Sequence, residues 1–264
     1  MRRLVVLAFV VATWAVGTPT VSRAAGADTP AQCAGHTIRL SETETRDAGP
    51  SSRLVVRRGQ AVVKTLTGSR ITEVRCVELT GDSRPELSVE WHSGGAHCCS
   101  TIQVFQLQPT VRQILTFNAG HTVGFTVQRD RGGRPALVLG DSGLAYYGDL
   151  CFACSPSSMP LVACYTGARY VDCTRRFPSA VQAALKSYTE SLKEAVRSTH
   201  NSRIEYMKGA ALGVYAAYAL LDREADGLAA VRRIVKEPEV TSWLAGQRDG
   251  IRKWLRSRPG QVTP

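Results

Sequence analysis

The hydrophobic pattern of this chain changes its period once, close to residue 175. Before that point, short apolar runs alternate with turn residues, as where 54–58 and 61–66 flank Gly59-Gln60. After it, apolar residues recur every three or four positions, beginning with Val181. Strands that precede helices along a chain, instead of alternating with them, predict an α+β fold in which an antiparallel β-meander is followed by a helical segment.

The β-rich part is predicted to be a disulfide-containing domain over residues 28–174. Propeller-blade-like sheets and a sandwich both fit its many short strands. The polar stretch 41–52 has no period and predicts a loop. The predicted strands are 54–58, 61–66, 71–79, 86–91, 101–107, 111–117, 122–127, 136–139, 159–164 and 170–173.

Residues 175–264 predict four helices packed on or beside the β-rich part. Ser179 is expected at the cap of the first helix. The uncharged run Gly209–Leu221 is too short for the roughly 20 residues that a membrane span needs, so it predicts a buried helix. The four apolar stripes lie within 181–192, 204–218, 228–235 and 240–255.

The first 27 residues have the pattern of a cleaved secretory signal peptide. Arg2 and Arg3 precede the apolar run Leu4–Val16, and Ala25-Gly26-Ala27 offers an A-x-A cleavage site. This run is also too short for a regular membrane span, although an uncleaved anchor is the alternative. The pattern predicts a secreted or periplasmic protein whose mature chain begins at Asp28.

Cysteine placement separates the two parts of the chain. An even number of cysteines in an exported protein predicts disulfides, and all eight lie before residue 174. The helical segment is therefore expected to depend on packing alone. Cys98 and Cys99 would pair with each other or with strand cysteines such as Cys76. The eight candidates are Cys33, Cys76, Cys98, Cys99, Cys151, Cys154, Cys164 and Cys173.

The most specific chemical pattern is an acidic loop at residues 78–86. Glu78, Thr80, Asp82 and Glu86 place side-chain oxygens at relative positions 1, 3, 5 and 9. Calcium takes six to eight oxygen ligands, so three carboxylates and one hydroxyl predict a weak, structural Ca²⁺ site. The alternative is a β-turn whose acids are solvated or paired with Arg84.

A second stretch of the chain repeats this region at an offset of 50 residues. Residues 77–89 and 127–139 share valine, Arg-Pro and leucine positions, and a period near 50 is typical of propeller blades. The loop at 78–87 resembles the FG-GAP/VCBS type of repeat, D-x-[DN]-G-D-G-x-x-D-L. The resemblance implies an extracellular blade with a calcium loop. It departs from that pattern at Glu78, Thr80 and Ser83, and the copy at 128–134 has lost the ligand set.

A second resemblance covers the strand after this loop. Thr80–Leu87 reads TGDSRPEL, and Ser93–Cys99 reads SGGAHCC. Together they are similar to a signature of uncharacterised secreted bacterial proteins in which a TGDxxPEL strand precedes SGGAHCC. This resemblance implies export and brings no activity with it.

Two cysteine-containing segments permit a chemical role instead of a structural one. His97, Cys98 and Cys99, with His92 nearby, offer ligands for zinc or copper, or a thiol nucleophile. Cys151 and Cys154 form a C-x-x-C pair that would suit thiol redox chemistry. The sequence SPSSMP that follows them cannot form a regular helix. Structural crosslinks are favoured at both segments.

The helical part is basic, with 16 basic and 9 acidic residues in 175–264. Arg248, Arg252 and Arg256 recur every four residues, which suits either a solvated face of a packed helix or contact with an anionic membrane surface. Packing is favoured because the neighbouring amphipathic helices need partners. Common hydrolase and nucleotide-binding motifs are absent from the sequence, and nucleic-acid binding is not expected in an exported chain.

These patterns predict an exported, non-catalytic protein that acts as a binding or interaction module at the cell envelope. Its partner would be a protein or a glycan, and Ca²⁺ would have a structural role only. Two alternatives stay open. One is a secreted enzyme or thiol-redox protein that uses His97, Cys98 and Cys99, or Cys151 and Cys154. The other is an envelope-surface binder that uses the basic C-terminal helix.

Overall fold

The computed structural model describes residues 31–45, 49–95 and 98–264, so the predicted signal peptide lies outside the described residues. Twelve strands form three four-stranded antiparallel sheets, each a meander of consecutive strands. Sheet 1 contains β1 (Ala31–Cys33), β2 (His36–Thr45), β3 (Gly49–Arg58) and β4 (Ala61–Gly68). Sheet 2 contains β5 (Arg70–Val77), β6 (Glu86–Gly95), β7 (Cys98–Gln106) and β8 (Arg112–Gly120). Sheet 3 contains β9 (Thr126–Arg129), β10 (Pro135–Asp141), β11 (Met159–Tyr165) and β12 (Tyr170–Asp172).

The three sheets are stacked through their apolar faces, with sheet 2 in the middle. Alternation along its strands gives sheet 2 two buried faces. Leu87 and Phe105 share one core with Leu54 of sheet 1. Ile102 shares a second core with Leu137 of sheet 3. The repeat at an offset of 50 residues corresponds to the first hairpins of sheets 2 and 3, β5–β6 and β9–β10.

Two predictions in the β-rich part are wrong about where strands lie. The stretch 41–52, predicted as a loop, belongs mostly to the β2–β3 hairpin, where Leu40 pairs with Leu54 and Glu42 with Ser52. Of its residues whose exposure is described, all but Ser52 are exposed or half-buried, so the apolar alternation that marks a strand is missing. The strand predicted at 122–127 is shifted, because β9 begins at Thr126 and the chain before it is irregular.

Five helices follow the last sheet: α1 (Pro178–Arg197), α2 (Arg203–Leu220), α3 (Glu224–Ile234), α4 (Pro238–Gly246) and α5 (Arg248–Ser257). The central helix is α2, in which twelve of 18 residues are buried, as predicted for the run Gly209–Leu221. No helix among the described residues has the length and apolar character that crossing a bilayer requires. Gly213 allows α1 and α2 to pack closely, because a Cβ there would lie 2.5 Å from the Tyr188 ring.

Two helix predictions are also corrected. Ser179 does not cap α1, which begins with Pro178 after Phe177 and has no side-chain cap. The single helix predicted over 240–255 is two helices, because α4 ends at Gly246 and the chain turns at Gln247. The apolar pattern continues across this turn, since Val240, Leu244 and Ile251 all pack into the same core. The continuous apolar period over 240–255 therefore gave no sign of the turn between α4 and α5.

The C-terminus ties the helices back to the sheets. Arg258 is 1% exposed and its Nη1 lies 2.9 Å from Oδ2 of Asp141, which is also buried. The Trp254 indole donates to the same carboxylate oxygen at 3.0 Å. Beyond this pair, Thr263 exchanges backbone hydrogen bonds with Thr116 on β8. The last residues thus connect the helical part to sheets 2 and 3.

Disulfides are found in the β-rich part, as predicted. Three have both cysteines described: Cys33–Cys76, Cys151–Cys154 and Cys164–Cys173. Cys33–Cys76 joins β1 of sheet 1 to β5 of sheet 2, so Cys76 is not a partner of Cys98 or Cys99. Cys99 is disulfide-bonded as well, and no cysteine in the described part of the chain is free.

Candidate functional site

The acidic loop joins β5 to β6 and lies against the equivalent loop of sheet 3. Gly81 has φ +86°, a conformation that favours glycine, and a Cβ there would lie 3.4 Å from Pro135. The Tyr170 hydroxyl of β12 donates to the Leu79 carbonyl at 2.7 Å. The loop is therefore fixed between sheets 2 and 3, and its backbone is anchored from both sides.

Each acid of the loop accepts hydrogen bonds from the loop's own backbone. Glu78 Oε1 accepts from the amides of Thr80 and Gly81. Asp82 Oδ1 accepts from the Arg84 backbone amide at 2.9 Å. Arg84 therefore contacts an acid of the loop through its backbone. These bonds satisfy donors that the bend would otherwise leave unpaired.

Glu86 is the buried member of the loop. Its side chain accepts from the Leu79 amide at 2.8 Å and from the Thr80 hydroxyl at 3.3 Å. Burial, together with the negative charges of Asp82 and Glu78, raises the pKa of Glu86 to about 7 against the opposing effect of its hydrogen bonds. The neutral form of this carboxyl is therefore accessible near neutral pH.

The oxygen set has the chemistry that calcium prefers, but the carboxylates are not gathered as a cage. Among the described residues, the only three His, Cys, Asp or Glu side chains with ligand atoms all within 4.8 Å are Cys151, Cys154 and Glu205. The second oxygen of Glu78 lies 3.9 Å from the Arg129 guanidinium. In the degenerate copy, amide hydrogen bonds from Arg134 and Gly132 lower the pKa of Asp130. Calcium binding at 78–86 stays a prediction.

A cleft of about 470 Å³ opens between sheets 2 and 3 and α1. It lies where β9 stops short, since β9 pairs with β10 only as far as Val138. Within the described residues, Leu139–Asp141 of β10 have no strand partner on that side. The residues around the cleft include Glu73, Arg75, Val123, Phe125, Val138 and Ser158. Sequence analysis did not identify this cleft, because its walls come from three distant segments.

A buried carboxylate and a stacked guanidinium hold one wall of the cleft in place. Both oxygens of Glu90, on β6, accept from the Gly124 amide, at 3.0 and 2.9 Å, and burial raises the pKa of this acid. The Arg75 guanidinium lies 3.7 Å from the centre of the Phe125 ring and donates to the Phe125 carbonyl. Its Nε is 3.1 Å from Glu73, in an ion pair without hydrogen-bond geometry. The irregular segment before β9 is therefore pre-organised.

The Cys151–Cys154 disulfide lies in the loop between β10 and β11 of sheet 3, on a single 3₁₀ turn at Phe152–Cys154. The regular helix that usually follows a redox-active pair is absent here, as predicted. Cys154 Sγ lies 3.5 Å from Glu205 Oε2 on α2, a contact that the sequence gave no reason to expect. The ring of Phe152 stacks on His121 at a centroid distance of 4.4 Å.

The other predicted chemical residues are spread over the fold. His97 and the side chain of Cys98 lie outside the described residues, and Cys99 is disulfide-bonded. His92 Nδ1 accepts from the Gly94 amide at 3.1 Å, as a turn-stabilising group does. On α5, Arg252 pairs with Glu224 of α3 at 3.1 Å, so part of the basic face supports helix packing.

Comparisons with known proteins give no family for this chain. No family model matches it, and neither does any curated protein or solved structure compared with it. The resemblance of the acidic loop to FG-GAP/VCBS-type repeats therefore rests on the residues of the loop alone.

Proposed function

We propose that this protein is an extracytoplasmic binding module that holds an extended polypeptide in the cleft between sheets 2 and 3. The observation that carries this proposal is the cleft beside β10, past the point where β9 stops. A cleft with apolar and charged walls is suited to holding an extended chain, since pockets in it give side-chain specificity. The Gly140 carbonyl on that side of β10 already accepts from the Thr122 hydroxyl at 2.8 Å.

The chemistry of the cleft favours a polypeptide over a glycan. Val123 is 76% exposed at its edge, and the Phe125 ring is covered by Arg75, so no free aromatic face is offered for stacking on a sugar. Glu73 and Arg75 provide one charge of each sign for a peptide of mixed composition. The pre-organised wall limits the entropy lost when a ligand binds.

Export of the protein is part of the proposal. It is supported by the predicted signal peptide 1–27 and by the disulfides, which persist in oxidising compartments. Sequencing the N-terminus of protein recovered from the secreted or periplasmic fraction is expected to begin at Asp28. Recovery only in the cytoplasm with residues 1–27 retained would contradict export.

A random peptide library displayed on phage tests the binding role, with the mature protein immobilised as bait. Enriched peptides are expected to lose at least about tenfold in affinity for Val123→Asp, because a charge at the cleft edge opposes an apolar contact. Val127→Asp is the matched control, since Val127 is exposed on β9 but does not line the cleft.

Two outcomes of this screen would contradict the proposal. One is failure to enrich any peptide, and the other is enrichment of peptides that bind both variants equally. A glycan array run in parallel identifies the other partner class. Glycan binding that Val123→Asp abolishes would assign the cleft to a carbohydrate.

A structural calcium ion in the acidic loop is a separate part of the proposal. The ion would be held by Glu78, Asp82, Glu86 and Thr80. It would neutralise the negative charges around the buried carboxyl of Glu86. We expect millimolar Ca²⁺ to raise the melting temperature, because binding to the folded state alone stabilises it. Asp82→Ala should remove this shift, whereas Asp130→Ala, in the degenerate loop, should retain it. The same melting temperature with Ca²⁺ and with a chelator would end the calcium prediction.

A further inference from the structure

The Cys151–Cys154 disulfide differs in exposure from the other disulfides that are described at both ends. Cys33 and Cys76 are 2% and 8% exposed, and Cys164 and Cys173 are 9% and 8% exposed. In the third pair, Cys154 is 5% exposed but Cys151 is exposed at the surface. An external thiolate therefore reaches Cys151 more readily than Cys154, which favours attack on the Cys151 sulfur.

The turn that carries the pair is arranged to accept a negative charge on Cys151. The Cys154 amide donates to Cys151 Sγ at 3.2 Å, and the Ser155 amide and hydroxyl both donate to the Cys151 carbonyl. A hydrogen bond to sulfur stabilises a thiolate when the disulfide opens. Cys151 Sγ is thus the more accessible sulfur. The Cys154 amide also stabilises it whenever it is released as a thiolate.

A carboxylate lies beside the buried sulfur. Glu205 Oε2 is 3.5 Å from Cys154 Sγ, and in the disulfide neither atom has a proton to share when Glu205 is ionised. In the dithiol, the Cys154 thiol donates to this carboxylate. The contact is therefore useful to the reduced form and to the step that interconverts the two forms.

The position of Glu205 follows from close packing of the loop on α2. Gly209 lies one turn after Glu205, and a Cβ at Gly209 would lie 1.5 Å from the Cys154 carbonyl oxygen. Glycine at this position lets the loop rest directly on the helix. The carboxylate and the sulfur are then held by two elements that cannot separate without breaking this packing.

A groove of about 370 Å³ runs between α1 and α2 and reaches the disulfide at Cys154, which lines it, while Cys151 lies at the surface beside the groove. Tyr188, Ser191, Glu194 and Tyr206 line it, and Tyr206 is 38% exposed. Aromatic and hydroxyl side chains in a groove suit contact with a polypeptide segment. The groove shares no lining residue with the cleft between sheets 2 and 3, so this inference does not depend on the proposed binding function.

We propose that Cys151–Cys154 is a redox-active disulfide that exchanges with a pair of cysteine thiols on a polypeptide seated in this groove. A substrate thiolate attacks Cys151 Sγ, the bond to Cys154 breaks, and the departing Cys154 thiolate takes up a proton from water that the Glu205 carboxyl relays. The second substrate thiolate then attacks the substrate sulfur of the mixed disulfide and releases Cys151 as a thiolate. Two electrons pass from the substrate dithiol to the protein disulfide, and the reverse sequence reduces a substrate disulfide.

The order in which the disulfides are reduced tests the proposal on the unaltered protein. The mature chain is treated with limiting dithiothreitol under native conditions, alkylated and mapped by mass spectrometry. Cys151–Cys154 is expected to open at least about a hundredfold faster than Cys33–Cys76 and Cys164–Cys173, because rates of exchange depend on access to sulfur. Equal rates, or opening only when the protein unfolds, would overturn the proposal.

Two variants test which sulfur reacts. Cys154→Ser is incubated with a two-cysteine peptide that has been oxidised to its disulfide. The variant is expected to accumulate a mixed disulfide between Cys151 and this peptide. Cys151→Ser should leave Cys154 unmodified under the same conditions. Modification of Cys154 as readily as Cys151 would reject the assigned roles.

A matched pair of acid variants tests the role of Glu205 as a positioning and proton-transfer group. Glu205→Gln should slow reduction by the two-cysteine peptide at least about tenfold and flatten its pH profile, since general acid–base catalysis depends on a titrating group. Glu190→Gln, an exposed acid of α1 that does not line the groove, should behave like the parent protein. Identical pH profiles for both variants would contradict the role of Glu205.

The groove itself is tested with Tyr206→Ala. This variant should slow reduction by the peptide and leave reduction by dithiothreitol unchanged, because only the peptide is long enough to occupy the groove. An unchanged peptide rate would exclude a polypeptide as the partner of this site.

Discussion

The β-rich part and the helical part of this molecule are held together by different means. The sheets are crosslinked, with Cys33–Cys76 joining sheets 1 and 2 and Cys164–Cys173 joining β11 to the end of sheet 3. The helices contain no cysteine, and they are organised around the buried helix α2. Covalent crosslinks act mainly by restricting the unfolded chain, whereas packing acts by removing apolar surface from water.

This difference suits the size of each core. Each sheet is thin and shares its apolar residues with a neighbouring sheet. In sheet 1, much of β4 is exposed. The helical core gathers residues from every helix and from the loop after β10 around one centre. The crosslinks of the sheets therefore occur where the core is divided, whereas the helices themselves are held by one continuous core.

The buried ion pair at the junction gives the largest expected effect. Arg258→Met removes the partner of Asp141 and leaves a buried carboxylate unpaired, which should lower the free energy of unfolding by about 3–5 kcal/mol. Arg256→Met, two residues earlier on the exposed side, should change it by less than about 0.5 kcal/mol. Urea denaturation measures both. Equal, small losses would mean that the helical part does not depend on this junction.

The crosslink between sheets 1 and 2 comes next. Replacing both Cys33 and Cys76 by serine should lower the free energy of unfolding by about 2–4 kcal/mol, because their sequence separation of 43 closes a long loop. Hydrogen exchange followed by mass spectrometry should show lost protection in β1–β3 and unchanged protection in α2. The double variant of Cys164 and Cys173, with a separation of 9, should lose less. Loss of protection in α2 to the same degree would erase the distinction between the two parts.

The acidic loop gives the smallest of these effects and depends on pH. The pKa of Glu86 is raised to about 7 in the folded protein, so the folded state holds this proton more tightly than the unfolded chain does. Stability should therefore fall as pH rises from about 4.5 through 7, by about 2 kcal/mol after allowing for solvent screening. Glu86→Gln should reduce this slope and leave the part that comes from Glu90, whose pKa burial also raises, whereas Asp149→Asn, an exposed acid, should keep the full slope. Denaturation curves from pH 5 to 8 would refute the argument if Glu86→Gln left the slope intact.

Sequence patterns identified elements where the local signal and the packing agree. The hairpin at Gly59-Gln60 and the buried helix within 209–221 were both predicted, because turn chemistry and a long uncharged run act locally. The hairpin arm at 41–52 was missed, because it extends beyond the core and has no apolar face. The turn at Gln247 was missed for the opposite reason, since both flanking helices bury the same periodic stripe.

The candidate sites, too, were predicted only where the signal in the sequence is local. The residues 78–86 were recognised from composition, but carboxylates that bind calcium and carboxylates that accept amide hydrogen bonds look alike in a sequence. The cleft between sheets 2 and 3, the contact of Glu205 with Cys154, and the pairing of Arg258 with Asp141 had no local signal. In the two ion or sulfur contacts, the partners lie 51 and 117 residues apart in the chain.

The sequence by itself determined the order of strands and helices, the restriction of cysteines to the first part, and the acidic composition of one bend, because periodicity and side-chain chemistry are local properties. Tertiary structure alone decided which cysteine is exposed, which carboxylate is buried, and where a cleft forms beside β10. These properties depend on distances between remote segments and on how much water each group loses when they meet.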